Sequence, residues 1–373
     1  MTGTRPEIIK LGAICRALGP DGLVVHTSQH HDAELAGVFF AEADVTVART
    51  LSGICGAPRH VQISRMIGQL GEVFLQERPA VVIVQGDTNT ASAGAQAASY
   101  AGIPVIHVEA GLRSYDRAMP EEVNRCVISA LADMHCAPTP IAVAQLRAEG
   151  VPDQRIELTG NTVVEATVAT MPGPAEAAAI VRQAGATPGG YVLATIHRPE
   201  NTDDGIRLRV ILEQLAGLGL PVLFPAHPRT RLAVQRHRLS AEFARLEVRT
   251  PADHRTFLAL AGLARLIVSD SGGIQEECTV LKRPLLVIRN STERPEAIAA
   301  GFAKVVRPGP LIGECGRAMI ADSGLHVRLA STPCPYGDGT ASDRITAIAR
   351  RYLIRRTILP SVHSQVPMDA LTP

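Results

Sequence analysis

Residues 80–111 read AVVIVQGDTNTASAGAQAASYAGIPVIHVEAG. The run 80–87 is apolar and rich in β-branched residues, and it ends on Gly86 and Asp87. An alanine-rich stretch, 90–102, follows it, and a second apolar run, 103–111, ends around Glu109. Strands that are apolar at nearly every position are buried on both faces, as in a parallel sheet. Two such strands joined by a helix-period segment predict a βαβ unit.

The same alternation extends in both directions. Upstream, GLVVHTS (22–28) reads as a strand and HVQISRMIGQLGEVFLQE (60–77) as an amphipathic helix. After about residue 165 the pattern restarts, with strands at 191–198, 220–228, 246–250, 264–273 and 284–289. Two sets of apolar strands alternating with helices predict an α/β protein of two Rossmann-like, doubly wound domains. A length of 373 residues is also long for one core. Pro and Gly cluster at 170–178, the expected joint. The expected domains are 1–168 and 169–340, followed by a frayed tail at 358–373.

Lys and Arg number 37 against 36 Asp and Glu, a net charge of +1, so no basic surface for nucleic acid is expected. The longest apolar runs fall well short of the roughly 20 residues of a membrane span. Arg5, Glu7 and Lys10 interrupt any leader-like apolar core. The seven cysteines are scattered and form no CxxC pair, which predicts free thiols in a reducing compartment, the cytoplasm.

In open parallel sheets, ligands bind beyond the carboxyl ends of the strands. The polar residues there are Asp87 and Glu109 in the first half, and His197, His227 and Asp270 in the second. In SDSGGIQEE (269–277), Ser271 can cap a helix whose N-terminus favours phosphate, and Gly272 and Gly273 let backbone N–H groups approach it. Glu276 and Glu277 are expected in that helix's first turn. Arg294 after the next strand can meet a second phosphate, and Arg5 and Lys10 add cations from the first domain. Asp87, Glu109 and Glu121 are three acids expected near one cleft, and close carboxylates push their pKa values apart so that one gives a proton while another takes one.

The chain opens MTGTRPEIIKL, in which Gly3, Thr4 and Pro6 read as the turn from a strand into a capped helix. Only Met1 and Thr2 precede that turn. We therefore expect no strand before Gly3, and either a gap in the first sheet or close contact between its flanking strands. A native start several residues upstream, with an apolar segment, is the matching expectation.

The motifs GTRPE, SQHHDAEL, VIVQGDTNT, HVEAGLRS, MPEEVNR, TGNTVVEA, HRPEN, HPRT, SDSGGIQEE, STERPEA and PYGDG occur in that order from Gly3 onward. Together they resemble the non-hydrolysing UDP-N-acetylglucosamine 2-epimerases. The resemblance implies a glycosyltransferase-B-like fold, with the substrate in a central cleft between two Rossmann-like domains that close about hinges near 165–175 and 340. It implies a crossover helix at about 341–357 returning to the first domain. The implied reaction inverts C2 of the sugar by eliminating UDP and adding it back to a glycal.

By the same resemblance Asp87, Glu109 and Glu121 are the acid/base carboxylates and His197 the essential histidine, all expected to converge on the cleft. Arg5, Lys10, Arg113, Phe257, Ser271, Gly272, Gly273, Glu277 and Arg294 match substrate contacts, Glu277 taking the ribose hydroxyls. Gln29 and His30 match residues that help hold a second, activating UDP-GlcNAc in bacterial members. No metal or other cofactor is implied, and a homodimer is expected. His254 stands where the family usually carries Tyr. Hydrolysing relatives tend to have Arg where this chain has Thr88. A hydrolysing UDP-GlcNAc 2-epimerase that releases UDP and free N-acetylmannosamine, an epimerase of a diacetamido-uronate UDP-sugar and a non-catalytic UDP-sugar-binding protein are the rival readings.

Overall fold

The computed structural model describes residues 1–30 and 33–358, so the expected tail beyond 358 lies outside the described residues. The chain divides into two units: unit 1 comprises 1–162 together with the chain from 339, and unit 2 comprises 163–338. The break falls at Thr162/Val163 rather than after residue 168. Its cause is the helix Val163–Thr170, which packs on two helices of unit 2, Gly272–Leu281 and His254–Gly262.

Unit 2 holds one six-stranded parallel sheet: β7 (Val192–Thr195), β8 (Val222–Pro225), β9 (Glu247–Arg249), β10 (Leu266–Ser269), β11 (Leu285–Ile288) and β12 (Ala303–Val306). Their spatial order is β12-β11-β10-β7-β8-β9. The order reverses between β7 and β10, the switch point of a Rossmann-like sheet. Buried clusters cover both faces, one around Leu208, Leu212 and Phe224, the other around Tyr191, Leu258 and Phe302.

Unit 1 carries β1 (Val25–His26), β2 (Arg49–Thr50), β3 (Val82–Gln85), β4 (Val105–Val108), β5 (Met134–Ala137) and β6 (Ile156–Leu158). Its strands form two sheets, β1-β2 and β3-β4-β5-β6, all paired in parallel. No strand precedes Gly3; Thr2 makes a single parallel bridge to His26. A gap therefore separates β1 from β3. The turn at Thr4 folds as its sequence suggests. Glu7 is buried, and its Oε2 accepts from the N–H groups of Gly3 (2.9 Å) and Thr4 (2.8 Å), starting the helix Arg5–Leu18.

The last described helix, Ala341–Ile358, packs on Arg5–Leu18, with Ile345 and Ile348 buried against Leu11 and Ile14. All seven cysteines are free. No described helix is long and apolar enough to cross a membrane.

Candidate functional site

The acids of unit 1 issue from adjacent strands. Gln85 of β3 pairs with Val108 of β4, so Asp87 and Glu109 leave neighbouring carboxyl ends. Glu109 sits at φ 66, a left-handed backbone that costs a non-glycine residue on the order of 1 kcal/mol or more. Its buried Oε2 accepts from Lys10 Nζ and Gln85 Nε2, each at 2.6 Å. Lys10 is thus a buried partner of the candidate catalytic carboxylate, held there by the first helix. Arg5, on the same helix, is exposed and lies 4.8 Å over the Phe39 ring.

Asp87 pairs with the buried Arg125. Arg125 also pairs with Glu122, at 2.8 Å. Glu122 is buried and accepts from the backbone N–H groups of Ser114 and Tyr115, both at 3.0 Å. Burial works to raise the Glu122 carboxyl, but those N–H groups and Arg125 outweigh it and hold it below the usual range. Its neighbour Glu121 is exposed at the start of the helix Pro120–Leu131. Glu121 and Arg125 are four apart on that helix and share a face. The exposed glutamate therefore stands on the face that holds Asp87.

Arg113 is mostly buried and bidentate to Glu149, through Nε at 2.7 Å and Nη2 at 2.6 Å, and its Nη1 donates to Leu112 O. That pair fixes the loop after β4. Gln29 Oε1 accepts from the Thr90 N–H and hydroxyl, each at 2.9 Å, at the head of the helix Asn89–Tyr100. His30 is exposed beside residues that lie outside the description.

In unit 2 the site residues cluster at the switch point. Asp270, fully buried after β10, accepts from the backbone N–H of His197 (3.0 Å) and of Arg198 (2.9 Å), and from Asn201 Nδ2 (3.0 Å). His197 Nδ1 lies 3.1 Å from Asp270 Oδ1. A carboxylate only accepts, so Nδ1 is the donor in this pair, which fixes the orientation of the ring. Burial pushes the Asp270 carboxyl up, but His197 and the other donors outweigh it and hold it below its ordinary value. The His227 ring lies 5.4 Å from that of His197.

Ser271 precedes the helix Gly272–Leu281, and its own N–H donates to Ser269 Oγ at 3.0 Å. A Cβ at Gly273 would meet nothing within 4 Å, whereas one at Gly272 would come within 2.9 Å of the Arg294 guanidinium. Arg294 therefore stands beside the helix N-terminus. Its Nε donates to Glu276 at 2.8 Å, and it also pairs with Glu293. Glu276 and Glu277 are not in the first turn, as expected from sequence, because the helix starts at Gly272 and leaves its first turn without an acid. Instead Glu276 holds Arg294, and Glu277 pairs with His254 Nε2 at 3.0 Å. Phe257 lies on the same helix as His254, three residues on, partly buried against the core.

Sequence reasoning missed the partners that hold these groups, Gln85, Arg125 and Asn201, and the pairing of Glu276 with Arg294. Among the described residues no group of three or more His, Cys, Asp or Glu side chains could hold a metal ion.

Residues 18–350 match the protein family described as UDP-N-acetylglucosamine 2-epimerase. A UDP-N-acetylglucosamine 2-epimerase of Methanocaldococcus jannaschii is 36% identical over 360 residues, covering 93% of this chain and 96% of that protein. A UDP-2,3-diacetamido-2,3-dideoxy-D-glucuronate 2-epimerase of Pseudomonas aeruginosa is 33% identical over 355 residues, covering 92% and 96%. The crystal structure of the M. jannaschii UDP-GlcNAc 2-epimerase in complex with UDP-GlcNAc and UDP matches with a TM-score of 0.84 at 35% identity, over 94% of this chain and 98% of that one. The fold class shared with it is glycosyltransferase-B-like.

Proposed function

The chain belongs to the UDP-N-acetylglucosamine 2-epimerase family, and from that premise we propose that it interconverts UDP-N-acetylglucosamine and UDP-N-acetylmannosamine without net hydrolysis. A base takes the C2 proton as the C1–O bond to UDP breaks, leaving a glycal. UDP oxygen then adds back to C1 while an acid delivers a proton to the other face of C2. Base and acid come from Asp87, Glu109 and Glu121, and His197 presents Nε2 with its other nitrogen held by Asp270. The Ser271–Gly273 helix start and Arg294 take the diphosphate, whose charge the N–H groups and the guanidinium stabilise as it leaves. Glu277, paired with His254, takes the ribose, and Phe257 flanks the base.

The observation that carries this reading is the division of labour in MPEEVNR. Glu122 is consumed by Arg125 and two backbone N–H groups, while Glu121 is exposed on the face that holds Asp87. Thr88 favours the non-hydrolysing type: it donates to Glu7 Oε1 at 2.6 Å and accepts from the Ala91 N–H at 3.0 Å, where hydrolysing relatives tend to have Arg.

The likeness to the P. aeruginosa enzyme supports a second substrate, a diacetamido-uronate UDP-sugar. A sugar carboxylate needs a cation, and the buried cations of unit 1 already face carboxylates: Lys10 faces Glu109, Arg113 faces Glu149, and Arg125 faces Asp87 and Glu122. That commitment favours the neutral sugar. Proton NMR in D₂O tests both readings. Deuterium at C2 of UDP-GlcNAc with a growing UDP-ManNAc signal is expected. Free N-acetylmannosamine would mean hydrolysis, faster turnover of the uronate would reassign the substrate, and an unchanged spectrum with both sugars would mean a binding protein.

A further inference from the structure

The loop 289–294 leaves β11 and carries Arg289, Glu293 and Arg294 before the helix Pro295–Ala299. Its two ends are fixed. The Arg289 N–H donates to Val306 O at 3.1 Å, and the Arg294 N–H donates to Thr292 Oγ1 at 3.1 Å. The Thr292 hydroxyl in turn donates to Gln275 Oε1 at 2.6 Å, which ties the loop to the helix Gly272–Leu281. All three charged side chains are buried, Arg289 fully.

Glu293 lies between the two guanidiniums. Its Oε1 pairs with Arg294 Nη1, and its Oε2 stands 3.0 Å from Arg289 Nη1. A Cβ at Gly272 would come within 2.9 Å of Arg294 Nη1 and 3.3 Å of Glu293 Oε1, so the Arg294–Glu293 pair stands against the helix start. The Arg289 contact is an ion pair without hydrogen-bond alignment. Among the described residues Arg289 Nη1 and Nε and Glu293 Oε2 each lack a hydrogen-bond partner. Glu200 Oε1, 3.9 Å from Nε, is too far to accept from it. Unmade donors on a buried guanidinium are costly, so Arg289 has capacity for a closer carboxylate. Glu276 holds Arg294 separately, through Nε at 2.8 Å.

An anion that binds at this helix start meets Glu293 at close range, and like charges repel strongly where water is excluded. Burial pushes the Glu293 carboxyl up, but Arg294 and Arg289 outweigh it and hold it at about 2. Glu293 therefore does not yield by taking a proton. It can only turn away, and Arg289 is the cation on that side.

We propose that Glu293 is a stand-in anion for the diphosphate, and that Arg289 is a positioning residue that takes Glu293 over when Arg294 turns to phosphate. This rests on the proposed function, in which Arg294 and the Ser271–Gly273 helix start take the diphosphate. The exchange moves no proton and leaves each charge paired. Glu293 passes from Arg294 to Arg289, while Arg294 stays on Glu276 through Nε and gives Nη1 to a phosphate oxygen. Glu293 thus weakens diphosphate binding, and Arg289 strengthens it without touching the ligand.

The test is the affinity for UDP, read by calorimetric titration of full-length variants. Arg294→Gln comes first and should weaken binding at least about tenfold. Unchanged affinity there would overturn the diphosphate reading and this proposal together. With that loss seen, Glu293→Gln should bind UDP at least about fivefold tighter, and Arg289→Gln at least about fivefold more weakly. Either single variant leaves a buried charge without its partner and can fail to fold. The double variant Arg289→Gln/Glu293→Gln removes both charges of the pair, so it carries the test by itself. It should bind UDP more tightly than the wild type, because no acid at position 293 competes for Arg294. A merely structural Arg289 would leave binding as weak in the double variant as in Arg289→Gln. A double variant that binds UDP no tighter than the wild type, or a folded Glu293→Gln variant that binds it no tighter, would overturn the exchange while leaving Arg294 at the phosphate.

Discussion

The two glutamates of MPEEVNR part company in the fold, and substitution separates them. Glu121→Gln removes an exposed carboxylate with no structural burden. We expect turnover to fall by about 10²–10⁴ with little change in melting temperature, as for loss of a positioned acid or base. Glu122→Gln breaks a buried pair with Arg125, and the expected cost is on the order of 3 kcal/mol of stability. Near-normal turnover in the first variant would remove Glu121 from the reaction. Gly273→Val is a cleaner probe of the diphosphate site than Gly272→Val. A side chain at 273 has open space, whereas one at 272 displaces Arg294 from its carboxylates. Gly273→Val should therefore leave the melting temperature within a few degrees and weaken UDP binding at least about tenfold, read by calorimetric titration. Unchanged affinity would detach the phosphate from this helix start.

At the scale of elements, the parallel sheets were legible where strands are continuously apolar. β3, β4, β7, β8, β10 and β11 each lie within a run read from the sequence. β2 is two exposed residues, Arg49–Thr50, with no apolar signal. β5 reads Met-His-Cys-Ala, without a β-branched residue, and is a strand because β4 and β6 pair with it on both sides. The site was legible as residue types at strand ends, but its pairings were not. Lys10 and Glu109 are 99 positions apart, and only the folded sheet brings a first-helix lysine to the end of β4. The left-handed backbone at Glu109 leaves no trace in composition either. The helix Ala341–Ile358 packs on the first helix, and its role can be measured. Ile345 is fully buried against Leu11 and Ile14 of the first helix. Ile345→Ala should cost about 2–5 kcal/mol, and chemical denaturation would show it as a lower midpoint with an unchanged slope. An effect below about 1 kcal/mol would mean that this helix is only loosely docked.

Across the whole molecule, acid should act on unit 1 before unit 2. His107 and His135 are buried and pair across β4 and β5. Burial pushes them down, His107 to about 3 and His135 to about 4, and it lowers His26 as well. The unfolded chain protonates these rings near pH 6.5, while the fold keeps them neutral well below that. Between those values the unfolded state binds more protons. The stability is therefore fully present above about pH 6.5 and drains as pH falls toward 4, by up to about 1.4 kcal/mol per pH unit for each ring. Glu7 opposes this. Burial raises its carboxyl, so its share grows as pH falls toward its unfolded value. In unit 2 burial lowers His326, while burial pushes Glu293 up but Arg294 and Arg289 outweigh it and hold it at about 2, and Glu293 and Asp270 lose stability only below the ordinary carboxylate range. Scanning calorimetry from pH 7.5 to 5 should show the transition of unit 1 moving to lower temperature faster than that of unit 2. His135→Phe keeps the bulk of the ring and removes its titration, so it should flatten the pH dependence of the first transition alone. If both transitions shift in parallel, or the variant keeps the wild-type slope, acid sensitivity does not come from the neutral histidines buried in the sheet of unit 1.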